Sequence, residues 1–236
     1  MQEQDENIIT HLEALRKMLI KCLVALAVLL LPMFLLAPYA LDWLIKIILQ
    51  DSNITLNYFT PMEVFMLQLK IAAVLDILVC FPYIARQVWL FLLPALYDNE
   101  RRFIKSMVLA SSALFITGVL FCLFFILPLI INFGIGFSAP NLQAMFGVGN
   151  IIGLALTLSL IFGIMFQFPL VTYFLICFNV LSYNQIKHLR PYVFVGILIL
   201  AGILTPPDVV SQLMLTIPTY LLFEIGLIAG KRCGKK

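Results

Sequence analysis

The sequence predicts an all-α integral membrane protein with six transmembrane helices and both termini cytoplasmic. Two observations carry this. The chain is 63% hydrophobic and only 11% charged, with a mean hydropathy of +1.07, whereas a soluble domain carries about 25% charged residues. In addition, 13 of the 15 Lys and Arg residues lie at the chain ends or in alternate gaps between long apolar runs. Arg16, Lys17 and Lys21 precede the first run, and Arg86, Arg101, Arg102 and Lys105 separate the second from the third. Lys187 and Arg190 separate the fourth from the fifth, and Lys231, Arg232, Lys235 and Lys236 follow the last. Only Lys46 and Lys70 fall on the other side. Cations kept on one face of a bilayer mark its cytoplasmic side, and their alternation makes the number of crossings even. Residues 1–236 read as a single six-span membrane domain.

Spanning takes about 20 apolar residues, with a range of about 17–25. The runs extend from about Leu19 to Leu36, Phe65 to Tyr83, Met107 to Ile131, Ile151 to Phe178, Pro191 to Leu204 and Gln212 to Ala229. The last two are short, and Thr205-Pro206-Pro207-Asp208 turns the chain between them: the prolines forbid helix continuation and Asp208 can cap the next start. Two outer loops, 38–62 and 132–150, are mainly polar or small, and Tyr39 to Leu49 in the first reads as a short amphipathic helix on the outer surface. Pro32, Pro82, Pro128, Pro169 and Pro218 lie in or near the runs, where neighbouring helices can satisfy the carbonyls a kink frees.

Other classes find little in the chain. There is no Gly-rich phosphate loop and no basic stripe with interleaved aromatics, so nucleic acid is not indicated; no cofactor is implied. The five cysteines (Cys22, Cys80, Cys122, Cys177, Cys233) are scattered, odd in number and without CxxC spacing, which supports neither a disulfide framework nor zinc. The acidic N-terminus and the length of the first run argue against a cleaved signal. The histidines, His11 and His188, both fall at the inner surface, with no HExxH and no serine nucleophile motif in a span, so an enzyme is not expected.

Polar residues at unusual depth are the candidates for function. Thr10 and Glu13 have capping-box spacing, and Glu13 precedes Lys17 by four, so Glu13 either caps and pairs or holds a carboxylate at the inner surface for a cationic ligand. In the second inner loop Trp89, Tyr97 and the arginines fit an interfacial belt and topology signals. That does not account for Glu100 inside the cationic cluster. Within the spans lie Asp76, Gln167 and Glu224. An ionisable group at mid-membrane costs about 2.5–3.5 kcal/mol on the insertion scale and points to function by default. Glu224 is near the inner end of its helix and can reach the interface; Asp76 is nearer mid-span; Gln167 is uncharged and can simply bond a neighbouring helix.

Several segments in order resemble the TatC family, the multi-spanning core of the twin-arginine protein translocase: His11 to Arg16, Phe59-Thr60-Pro61, Trp89 to Arg102, Phe162 to Pro169, Arg190-Pro191-Tyr192-Val193, Leu204 to Asp208 and Phe223-Glu224. The resemblance implies a cupped helix arrangement in a bacterial cytoplasmic (inner) membrane and export of folded proteins carrying a twin-arginine signal peptide. It also implies that Glu13 and Glu100 contact the signal's arginines, with Arg16, Phe91 and Tyr97 in the same segments completing the binding set. Two carboxylates suit this role, since each accepts a planar guanidinium bidentately. Six helices are too few to enclose a folded passenger, so an oligomer with single-span TatA/TatB-type subunits is expected in the lipid. Thr205, Gln212 and Gly202 on the short last pair mark the docking edge for such a partner. The chain departs from the family at Gln167, where many relatives have Glu, and at Gly202, where a larger residue is common. The alternative reading, from another class, is a small-solute transporter with Asp76 and Glu224 as coupling carboxylates; there the charges belong near the midplane.

Overall fold

The computed structural model describes residues 2–49, 55–92, 101–135, 145–178, 180–204 and 209–233. Tyr97, Glu100 and Thr205 lie outside the described residues. In chain order the elements are α1 (Gln2–Leu49), β1 (Thr55–Asn57), α2 (Pro61–Leu92), α3 (Arg101–Phe121), a π-helical turn (Cys122–Ile126), α4 (Leu127–Ile135), β2 (Met145–Gly147), α5 (Val148–Met165), α6 (Phe168–Cys177), α7 (Tyr183–His188), α8 (Arg190–Leu204) and α9 (Val209–Cys233). Among the described residues, five stretches are long and apolar enough to cross a membrane: His11–Ile48, Pro61–Leu92, Ile104–Gly134, Val148–Cys177 and Gln212–Lys231. The shorter apolar helix Arg190–Ile203 completes the six runs read from the sequence.

The structure corrects several local expectations. The segment Tyr39 to Leu49 is not a separate surface helix: α1 continues through Pro32 and Pro38 to Leu49. Each proline removes one backbone donor, but Ala37, Leu41, Leu44 and Ile48 are buried at helical spacing, and that apolar stripe requires the helix to continue. The outer loops contribute a short parallel pair, with Thr55 opposite Met145, Leu56 opposite Phe146 and Asn57 opposite Gly147. In the third run the ladder widens at Cys122–Ile126, where the Leu127 N–H bonds the Cys122 carbonyl. Pro128 follows directly, and its ring excludes the ordinary bond to Phe124, so a five-residue register absorbs the misfit. Cys177 is disulfide-bonded, contrary to the expectation from spacing, while Cys22, Cys80 and Cys122 are free thiols.

The fourth run breaks into α5 and α6. Phe166 still bonds the Phe162 carbonyl, but the Gln167 N–H turns to Ile164, three residues back, at 2.9 Å. Pro169 stands in the first turn of α6 without a donor of its own. The Gly163 carbonyl, which the Gln167 N–H would otherwise take, is reached by the Gln167 side-chain amide at 3.5 Å. The side chain thus covers the acceptor that its own backbone abandons.

The chain divides into two compact units, residues 1–46 with 59–113 and residues 47–58 with 114–236. In the first, the Trp89 indole N–H donates to the Ser111 hydroxyl at 2.9 Å, both buried, fastening the end of α2 to α3. Phe34 and Phe65 meet edge to face, tying α1 to the start of α2. The second unit holds the larger core, in which Cys122, Ile126, Leu158, Phe162, Phe166 and Leu215 pack together. Close helix approach there rests on glycine: a Cβ at Gly226 would lie 2.6 Å from the Pro169 Cα, and one at Gly118 would lie 2.6 Å from the Phe162 carbonyl oxygen. Small residues of this kind let membrane helices gain dispersion contacts, the main attraction available where lipid is the solvent.

Candidate functional site

In the first unit, the start of α1 and the end of α2 converge through two rings. His11 and Phe91 stack with centroids 4.5 Å apart and planes at 29°. Glu13 is two residues beyond His11 on α1, and Phe91 is followed after one residue by the segment that carries Tyr97 and Glu100. The stack therefore holds the first turns of α1 against the end of α2 at the cation-rich end of the unit, while Glu13, two residues from His11, faces solvent on the other side of α1. Glu13 is well exposed and stands 3.8 Å from Lys17, in an i,i+4 pair whose side chains are 65% and 74% exposed. Such a pair is worth only a few tenths of a kcal/mol. The sequence did not single out the His11–Phe91 stack; the two aromatic rings beside the candidate acids were its only visible signal.

Asp76 is buried in α2, 3% exposed, and its Oδ1 accepts from the Cys80 thiol at 3.7 Å. In the second unit Glu224 of α9 is held from two sides. Arg190, the first residue of α8, donates through Nη2 to Glu224 Oε2 at 2.7 Å, and the Tyr220 hydroxyl donates to Oε1 at 3.0 Å. Tyr220 is itself wedged edge-on against Phe194, with centroids 5.3 Å apart. A carboxylate with a charged and a neutral donor is pinned, and it fixes the start of α8 on α9. Nearby, Ser182 caps α7 in a reciprocal box with Gln185, and Lys231 lies 5.7 Å above the Tyr183 ring.

Gln212 occupies a defined place. Its side-chain amide donates to the Leu198 carbonyl at 2.8 Å, bridging α9 to α8, and a Cβ at Gly202 would meet that amide at 2.9 Å. Glycine at position 202 gives the Gln212 side chain its room. Among the described residues there is no cluster of His, Cys, Asp or Glu able to hold a metal ion.

Fold and site together define a polytopic membrane protein that carries acidic and aromatic groups at the cation-rich ends of its helices. A protein-family model described as TatC: Sec-independent protein translocase protein (TatC) matches residues 10–218. The Sec-independent protein translocase protein TatC of Carboxydothermus hydrogenoformans is 32% identical over 235 residues, covering 98% of this chain and 95% of that protein. The TatC of Escherichia coli K12 is 34% identical over 238 residues, covering 97% and 90%. Among solved structures, one titled "Crystal Structure of Twin Arginine Translocase Receptor- TatC" superposes with a TM-score of 0.86 at 32% identity, covering 94% of this chain and 99% of that one. The chain belongs to the TatC family and is a multi-pass membrane subunit of a protein translocase, not an enzyme. The small-solute transporter reading gains no support, and Glu224, one of the carboxylates it needed, is committed to Arg190.

Proposed function

We propose that this chain is the signal-peptide receptor of a twin-arginine translocase, working in the bacterial cytoplasmic membrane with Glu13 and Glu100 as acceptors for the two arginines. The observation that supports the reading is the His11–Phe91 stack, which holds the turn of α1 that carries Glu13 against the end of α2. The chemistry is an exchange of cations. Lys17 gives Glu13 a single long, solvent-screened contact, whereas an incoming guanidinium offers two parallel N–H donors. Little stability is lost when Lys17 is displaced. Phe91 and Tyr97 supply apolar and aromatic surface for the residues that flank the arginines, and Arg16 lies one turn along α1 from Glu13 in the same binding set. Gln167 cannot carry a negative charge, so no ionised carboxylate acts at the α5–α6 break; its amide serves the Gly163 carbonyl instead.

Docking of single-span TatA/TatB-type subunits belongs to the same proposal, with Thr205, Gln212 and Gly202 at the outer end of the α8–α9 pair. It is supported by an apolar row on α8, where Tyr192, Val195, Ile199 and Ile203 recur at helical spacing and are 73%, 53%, 56% and 74% exposed. A photo-reactive group beside the arginines of a twin-arginine peptide tests the receptor reading. Crosslinks should fall within residues 11–16 and 89–102; crosslinks confined to the outer loops would overturn it.

A further inference from the structure

A groove of about 550 Å³ runs along the first unit between residues 20–29 of α1 and 79–83 of α2. Lys21, Val24 and Val28 line one wall and Val79, Cys80 and Tyr83 the other. From these we infer that the groove is a binding site for one anionic phospholipid of the cytoplasmic leaflet, its phosphate on Lys21 and its acyl chains in the cleft.

Three observations point to this occupant. The first is polarity. The groove is apolar along its length and polar at one mouth, where the Lys21 ammonium and the Tyr83 hydroxyl offer donors. Among the described residues Lys21 has no acid at ion-pair distance, and the lining contains no carboxylate. Asp76, one turn beyond Cys80, is buried behind the wall. Lys17, one turn before Lys21, and the exposed Arg86 beyond Tyr83 extend the positive field at that mouth.

The second is length. Residues 20 to 29 of a helix cover about 14 Å, close to the depth of one leaflet, about 15 Å or half of the hydrocarbon core. The charged mouth lies at the cation-rich end, so the groove begins at inner headgroup depth and closes near the midplane.

The third is room. A groove of about 550 Å³ takes extended hydrocarbon chains, which lie about 4 Å apart in contact.

The test uses the full chain purified in detergent, with retained lipid read by native mass spectrometry after addition of equimolar phosphatidylglycerol and phosphatidylcholine carrying the same acyl chains. The wild type should retain phosphatidylglycerol preferentially. Lys21→Gln should lower that preference about fivefold, the effect of one cation at an anionic surface. Val28→Trp, at an exposed position where a new side chain meets no core, should reduce retention of both lipids by filling the cleft. A twin-arginine peptide added in excess should leave the bound lipid in place, which separates this site from the receptor site. Equal retention of the two lipids by wild type and Lys21→Gln, or displacement of the lipid by the peptide, would overturn the assignment.

Discussion

α1 and the α5–α6 pair are built from similarly apolar sequence and meet opposite surroundings. Of the most apolar window of α1 only 6% is buried within the chain; for α5–α6 the figure is 56%. Hydropathy does not distinguish them, but residue size does. Neither α1 nor α2 contains a glycine, whereas α5, α9 and the end of α3 carry Gly163, Gly226 and Gly118 where a partner backbone or ring lies closer than a Cβ would allow. In lipid, apolarity alone does not drive helices together; packing does. The second unit is a packed body, and the apolar window of α1 is left largely uncovered by the rest of the chain.

The largest expected effect that sharpens this contrast comes from Phe162→Ala against Leu31→Ala. Phe162 is fully buried and Leu31 is 75% exposed. The first change should cost about 3 kcal/mol, the low end for an aromatic cavity because the unfolded side chain rests in lipid rather than water. The second should stay within about 0.5 kcal/mol. Reversible unfolding in mixed micelles measures both, and equal costs would break the comparison. A smaller effect is expected from Gly226→Ala, which forces α9 away from the Pro169 backbone and should cost about 1–3 kcal/mol. Gly196→Ala, with open space around it, should be neutral or slightly stabilising. Smaller again is Trp89→Phe, which removes the bond to Ser111 and should cost about 1 kcal/mol while leaving α2 in place.

The spans were legible because hydropathy is averaged over many residues. What stayed hidden depended on single contacts. Pro38 looked like the end of a helix, yet α1 runs through it, since one lost donor costs less than exposing the buried stripe Ala37, Leu41, Leu44 and Ile48. Pro128 signalled a disturbance but not its form, because a π turn and a kink both relieve the same clash. Glu224 was visible as an ionisable residue in a span, but its partner Arg190 lies 34 positions away, beyond any periodicity. The sequence marks Gln212 only as part of the docking edge; its amide bonds the Leu198 carbonyl across the α8–α9 pair. The spacing offers Glu13 as a candidate, while the stack of His11 on Phe91 required the fold.

The receptor proposal meets its most direct test in the affinity of a twin-arginine peptide for the full chain in lipid nanodiscs, measured for wild type, Glu13→Ala and Glu100→Ala against Arg-Arg and Lys-Lys peptides. Each single variant should weaken Arg-Arg binding about tenfold or more, the worth of one hydrogen-bonded charge. Lys-Lys should bind the wild type less well, since an ammonium lacks the planar fork, and should lose less on either substitution. Unchanged Arg-Arg affinity in both single variants would contradict the account.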